Sequence, residues 1–190
     1  MTIFRFAAAW IIGSCAIACG AEDANVRPRA PANPPETASA VLGTGSSAPD
    51  FTARDIDGKT ITLSNHLGKE VVLLDFCSTW CEPCVAEFAH LRTLYHANKD
   101  RGLIVLAISI DGPDTVAKVP SFARRNKLNF PMLLDEDSRI AFLYNPKKTA
   151  PATVLIDRSG KIAAMREGYT SGDEQALATD VARALDGSAR

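Results

Sequence analysis

The stretch Asp75-Phe76-Cys77-Ser78-Thr79-Trp80-Cys81-Glu82-Pro83-Cys84 decides the reading of this chain. The apolar run Val71-Val72-Leu73-Leu74 leads into it. A helical spacing leads out of it, with Cys84, Phe88, Leu91 and Tyr95 at intervals of four, three and four. A Cys-x-x-Cys pair thus stands where a buried strand turns into an amphipathic helix. Two thiols so placed can close a small disulfide and open it again, which marks a redox site. Cys81, at the helix start, meets unpaired backbone N–H groups and the positive end of the helix dipole, and both favour its thiolate. The thiolate is the attacking species, so Cys81 is expected to be the nucleophile. Cys84 lies one turn in, on the core side with Phe88, and is expected to be the resolving thiol. Pro83 suits a first helical turn, where its missing N–H costs little. A lone Cys-x-x-Cys is also half a zinc site, but Cys77, His66, His90 and His96 supply no second ligand pair.

Working outward, Phe51, Ile56, Ile61 and Leu63 flank Asp57-Gly58, a hairpin-turn signal. Leu103 to Ile110 is a continuous apolar run, so a strand covered on both faces and parallel to the first. Asp111-Gly112-Pro113 reads as a turn, followed by a helix that Pro120 interrupts or restarts. Met132-Leu133-Leu134 is a short strand and Ser138 to Tyr144 a short helix. Thr153 to Ile156 and Ile162 to Arg166 form a hairpin around Asp157-Arg158-Ser159-Gly160. Ser171-x-x-Glu174 reads as a capping box for a last helix with Leu177, Val181 and Leu185 on one face. This order predicts an α/β fold with a mixed central sheet flanked by helices and an added N-terminal β-hairpin.

The N-terminus has another character. Arg5 precedes an apolar stretch from Phe6 to Ala18, too short for a comfortable membrane span of ~20 residues. Residues 1–18 therefore read as a secretory signal. Ala16-Ile17-Ala18 directly before Cys19 fits a lipobox, after which Cys19 is lipidated and becomes the N-terminus; plain secretion is the alternative. Residues 19–47, with Pro28, Pro31, Pro34 and Pro35, read as a disordered Pro/Ala-rich tether, and residues 48–190 as the folded domain. Either route puts the domain outside the cytoplasm, where disulfides persist. With 190 residues and a net charge of −1, nothing in the chain calls for nucleic acid.

The order of elements, the Trp80-Cys81-Glu82-Pro83-Cys84 motif, Phe130-Pro131 before Leu133-Leu134-Asp135, Pro151 before a strand, and Leu155-Ile156-Asp157-x-x-Gly160-Lys161 resemble the thioredoxin superfamily. Within it the chain resembles the TlpA/ResA-type extracytoplasmic thiol-disulfide oxidoreductases. The resemblance implies a thioredoxin-like fold from about Ser47 onward and a redox-active Cys81–Cys84 disulfide in place of any cofactor. It implies that Pro151 is a cis-proline beside that disulfide, whose neighbouring backbone receives an extended substrate. It implies that Glu87 is an acid lining the substrate cavity; a solvated helix charge is the plain alternative. Asp75 departs from the asparagine usual in this branch and matches the aspartate of thioredoxin proper. That makes it a proton acceptor for Cys84, or else a hydrogen-bonded structural carboxylate.

Glu82 adds negative charge between the thiols, which opposes the Cys81 thiolate and argues for a reductase. Cys77 stands where the family usually has tryptophan. It reads as a small core residue, with a second resolving thiol or a soft-metal ligand as the sharper alternatives. The expected partners are disulfide-containing proteins, a membrane thiol electron donor and, through Cys19, a lipid bilayer. Reduction of haem-binding cysteines in cytochrome c maturation is one task the resemblance implies. A Cu(I) chaperone using Cys77, Cys81 and Cys84 is the runner-up, although no histidine follows His96. A thiol peroxidase comes last, because its Pro-x-x-x-Thr-x-x-Cys pattern is missing.

Overall fold

The computed structural model describes residues 42–187; the signal segment, Cys19 and most of the tether lie outside this range. Among the described residues no helix is long and apolar enough to cross a membrane. The strands are β1 (Thr52–Arg54), β2 (Thr60–Thr62), β3 (Val71–Cys77), β4 (Leu103–Ser109), β5 (Met132–Leu134), β6 (Ala152–Ile156) and β7 (Ile162–Glu167). The helices are α1 (Glu82–Asn98), α2 (Val119–Arg125), α3 (Arg139–Tyr144) and α4 (Asp173–Leu185).

Five strands form a mixed sheet in the order β5-β4-β3-β6-β7. β3 runs parallel to β4 and antiparallel to β6, so it is paired on both edges. Every residue of β3 is buried, as a strand covered on both faces requires. Its period-2 alternation divides the core. Val71, Leu73 and Cys77 face one cluster, with Phe88 and Leu91 of α1, Phe122 of α2 and Val181 of α4. Val72, Leu74 and Phe76 face the other, with Ile61 of the β1–β2 hairpin and Ile140 and Tyr144 of α3. Fully burying a side chain such as Leu91 or Phe88 contributes about 1.5–3 kcal/mol. This is a thioredoxin-like α/β sandwich with a separate small antiparallel hairpin.

The hairpin is the predicted one. Gly58 supplies its turn at φ 81°, and Asp55 accepts from the backbone N–H of Asp57 and Lys59 at 3.0 and 2.8 Å. It docks on the sheet edge through the Asp55–Leu133 bridge. Pro120 restarts the chain as α2, directly after a 3₁₀ turn over Val116–Lys118.

Two boundaries differ from expectation. Ordered chain begins before Ser47: the N–H of Gly45 donates to Ile162 at 2.8 Å, and the N–H of Ile162 donates to Ser46 at 2.9 Å. These bonds tie the end of the supposed tether to the start of β7, a pairing between segments far apart in sequence. The capping box of α4 does not form. Gly172 is the N-cap, and no side chain caps it. The Asp173 and Glu174 carboxylates instead accept from the N–H groups of Thr170 and Gly172, at 2.7 and 2.8 Å. Acids in the first turn satisfy the loop before it, and Ser171 takes no part.

Candidate active site

The site is built where β3 ends. Cys77 is the last strand residue, and its carbonyl accepts from Ile110 N–H at 2.9 Å. Ser78, Thr79 and Trp80 then turn the chain into α1. Cys81 is the N-cap, with extended backbone, and its sulfur accepts from the Cys84 N–H at 3.2 Å. That contact brings a helix-end donor onto the sulfur expected to become the thiolate. Cys81 and Cys84 are disulfide-bonded, with S–S 1.98 Å. Cys84 is 1% exposed and Cys81 4%. Around them Trp80 is 65% exposed and Val85 42%, so the dithiol opens onto an apolar rim. Glu82 and Pro83 are exposed in the first helical turn. The Ala150–Pro151 peptide bond is cis. Ala150 packs against the cluster that contains Cys81 and Cys84, and Pro151 passes its carbonyl to the Gly168 N–H at 2.8 Å.

Sequence reasoning missed one anchor of this loop. Asp111, just past β4, was legible only as a turn residue. Its carboxylate accepts from the Thr79 N–H at 2.9 Å and the Thr79 hydroxyl at 2.6 Å, and from the Ser109 hydroxyl at 2.8 Å. Asp111 is buried, and this charge-assisted network clamps the turn before Cys81 to the end of β4. The parallel register, Cys77 against Ser109, is what brings these residues opposite one another.

A set of acids surrounds Cys77. Asp75 and Cys77 share the β3 face covered by α1. Asp75 is 1% exposed, and neither of its oxygens finds a hydrogen-bonding partner among the described residues. Burial first, and then the Glu87 charge, hold its carboxyl well above the usual carboxylate range. Asp75 is thus not held by a hydrogen bond from any described residue. Glu87 is not a solvated helix charge either: α1 carries it inward, and its Oε2 is buried and unpartnered. Burial, then the Asp173 charge, push it up to about 7. The Cys77 thiol is pushed up by burial and then by the charges of Asp75, Asp111 and Glu87. Its sulfur faces the Ile108 carbonyl at 3.7 Å and the Met132 sulfur at 3.9 Å. Among the described residues no group of three or more His, Cys, Asp or Glu side chains is placed to hold a metal ion.

Glu87 also lines a cleft of about 360 Å³ between α1, α4 and the end of β7, with His90, Leu91, Thr153, Arg166 and Tyr169. Thr153 arrives because β6 pairs with β3, and Tyr169 because β7 returns beside β6.

Comparison with known proteins agrees with this geometry. Residues 44–165 match the AhpC/TSA family. Thiol-disulfide oxidoreductase ResA of Geobacillus kaustophilus (strain HTA426) is 35% identical over 138 residues, covering 73% of this chain and 77% of the relative. A Chlorobium tepidum structure assigned as a thiol:disulfide interchange protein DsbE superposes with a TM-score of 0.70 at 30% identity. That match covers 76% of this chain and 99% of the other. A secreted Mycobacterium tuberculosis disulfide oxidoreductase gives a TM-score of 0.60 at 28% identity, over 70% of this chain and 94% of the other. With a Cys-x-x-Cys disulfide capping α1 of a thioredoxin-like fold, the chain belongs to the AhpC/TSA family and, within it, is a thiol-disulfide oxidoreductase of the ResA type.

Proposed function

We propose that this oxidoreductase works as a reductase of protein disulfides outside the cytoplasm, held at a membrane by lipid on Cys19. One observation carries the direction of electron flow: Glu82 lies between Cys81 and Cys84 in the first turn of α1, where negative charge opposes a thiolate. Strong dithiol oxidants owe their potential to a stabilised reduced form, and negative charge does the reverse. Equilibration of the dithiol with a thiol buffer of known potential, read by mass after alkylation, gives a value near the thioredoxin end, about −270 mV. A value near the oxidising end, about −120 mV, overturns the assignment.

The location rests on the Phe6–Ala18 stretch, on the Cys19 lipobox and on the secreted relative. One acyl-modified end together with a tether gives a membrane-bound protein that reaches soluble substrates. Such a domain needs a membrane thiol donor that carries electrons outward. The TlpA/ResA resemblance adds one substrate class, the haem-binding cysteines of a c-type cytochrome before haem attachment. In fractionated cells the protein sediments with membranes, and Cys19→Ala moves it to the soluble fraction. A wild-type protein already soluble sinks the anchor and leaves the redox assignment standing.

A further inference from the structure

The chain between α3 and β6 runs along the rim of the dithiol. The antiparallel register sets Ala152 of β6 against Phe76 of β3; carried two residues further, it brings Ala150 toward Ser78, where the turn into Cys81 begins. Ala150 packs against the buried cluster that holds both sulfurs. Asn145 shapes this stretch. It is 5% exposed, and its backbone carbonyl accepts from the Lys148 N–H at 2.8 Å, closing a turn with Pro146 in second place. Its side chain closes the loop again: Oδ1 accepts from the Thr149 N–H at 3.0 Å, and Nδ2 donates to the Thr149 carbonyl at 2.7 Å. One side-chain amide thus pairs with both backbone groups of Thr149, as a neighbouring strand would. Lys148, between these bonds, is at φ 53°, a left-handed conformation a lysine seldom adopts unless its surroundings impose it. The backbone groups that remain are few. Pro151 has no N–H, and its carbonyl accepts from the Gly168 N–H at 2.8 Å. Ala150 alone keeps an N–H and a carbonyl that no described residue bonds. The proline after it holds Ala150 extended, and in extended chain successive residues turn these groups to opposite sides. Thr149 turns its pair to Asn145, so Ala150 turns its own pair away.

We propose that Asn145 is a positioning residue for the substrate: its amide stands in for a strand, pins Thr149, and so presents the Ala150 N–H and carbonyl as the two-point partner of an extended substrate segment beside the dithiol. The proposal rests on the reading that the substrate is a protein disulfide. The family resemblance implies a backbone contact beside Pro151; Asn145 is the side chain of this chain that holds that backbone in place. Asn145 touches neither substrate nor sulfur. Its effect is on how firmly the segment is held while Cys81 attacks, because backbone already fixed loses no freedom on binding. A small disulfide with no peptide chain on either side gains little from it.

The test gives the reduced protein two substrates: a peptide whose single cysteine is joined to thionitrobenzoate, and the same disulfide on N-acetylcysteine amide. In both, Cys81 attacks the cysteine sulfur and thionitrobenzoate leaves as a thiolate. Cys84 then attacks Cys81, forming the protein disulfide and freeing the cysteine thiol, so the two electrons lost by the dithiol reduce one S–S bond. Single-turnover release of thionitrobenzoate is followed against substrate concentration. Wild type prefers the peptide. Asn145→Ala lowers that preference, the ratio of the two second-order rate constants, by about tenfold, through a higher half-saturating concentration for the peptide. Asn145→Asp keeps the acceptor for the Thr149 N–H, lacks the donor for its carbonyl, and falls between. Urea unfolding verifies both folds, and Asn145→Asp carries the same comparison if Asn145→Ala does not unfold cooperatively. Methylating the peptide nitrogens one at a time finds the N–H that pairs with Ala150. That methylation and Asn145→Ala do not add, since each removes the same contact. Equal losses on both substrates reduce Asn145 to a support of the fold and overturn the proposal, as does a preference that neither variant moves, or methylation losses that add in full. A wild type with no preference for the peptide removes the protein-substrate reading and the proposal together.

Discussion

Cys81→Ser abolishes disulfide exchange, whereas Cys84→Ser stops it halfway. The two sulfurs are joined but not equivalent. Cys81 is the N-cap of α1, and a helix-end N–H reaches its sulfur. It also borders the exposed rim formed by Trp80 and Val85. Cys84 is inside the first turn and belongs to the buried cluster with Phe88. Only Cys81 combines a favoured thiolate with access to a substrate S–S bond. Replacing it lowers the rate of substrate reduction by more than about a thousandfold, equivalent to about 4 kcal/mol of transition-state stabilisation. Replacing Cys84 leaves the first attack intact and removes the group that resolves it. Cys84→Ser therefore accumulates a protein–substrate mixed disulfide, seen by non-reducing mass analysis, and fails to turn over. Mixed disulfide that accumulates through Cys84 in Cys81→Ser would reverse the roles.

Glu87→Gln makes the oxidised protein more stable at alkaline pH, by up to about 3 kcal/mol. The sign follows from proton binding. The folded state holds the Glu87 carboxyl at about 7 against an ordinary 4.5, so between these values it binds more protons than the unfolded chain. Stability conferred by the protonated form is complete below the unfolded value and is lost as pH rises through the folded one. Asp75 shifts in the same direction and adds to the loss. Both penalties have one cause, carboxylates buried without hydrogen-bonding partners. Urea unfolding at pH 5 and pH 8.5 reads the effect: wild type weakens across the interval, and Glu87→Gln weakens markedly less. A wild type whose stability is level or rises over this range, matched by the variant, contradicts a protonated buried Glu87. The destabilising acids are retained on β3 and α1, the two elements joined by the turn that carries Cys81, as strain at functional sites often is.

The strand-to-helix junction was legible because its signals are local. An apolar run before Asp75, a Cys-x-x-Cys and a spacing of four, three and four after it all lie within one short segment. The β1–β2 hairpin was legible for the same reason, since Asp57-Gly58 determines its own turn. The capping box was misjudged because Asp173 and Glu174 accept instead from the loop N–H groups of Thr170 and Gly172, and a spacing pattern does not rank competing partners. That Glu87 lines a cavity was implied only by the family resemblance; its burial follows from α4 and β7 closing over α1, and no local pattern contains that.

From its own residues the chain determined where a dithiol stands, which sulfur caps the helix and that an acid lies six residues upstream, because backbone geometry over a few residues dictates all three. Tertiary structure alone decided what surrounds them. Parallel pairing of β4 with β3 brings Asp111 to Thr79, and antiparallel pairing of β6 with β3 brings Thr153 opposite Asp75. Burial, and with it the protonation of Asp75 and Glu87, depends on which distant segments exclude water from them. That is a property of packing, and a carboxylate carries no mark of it until the chain has folded around it.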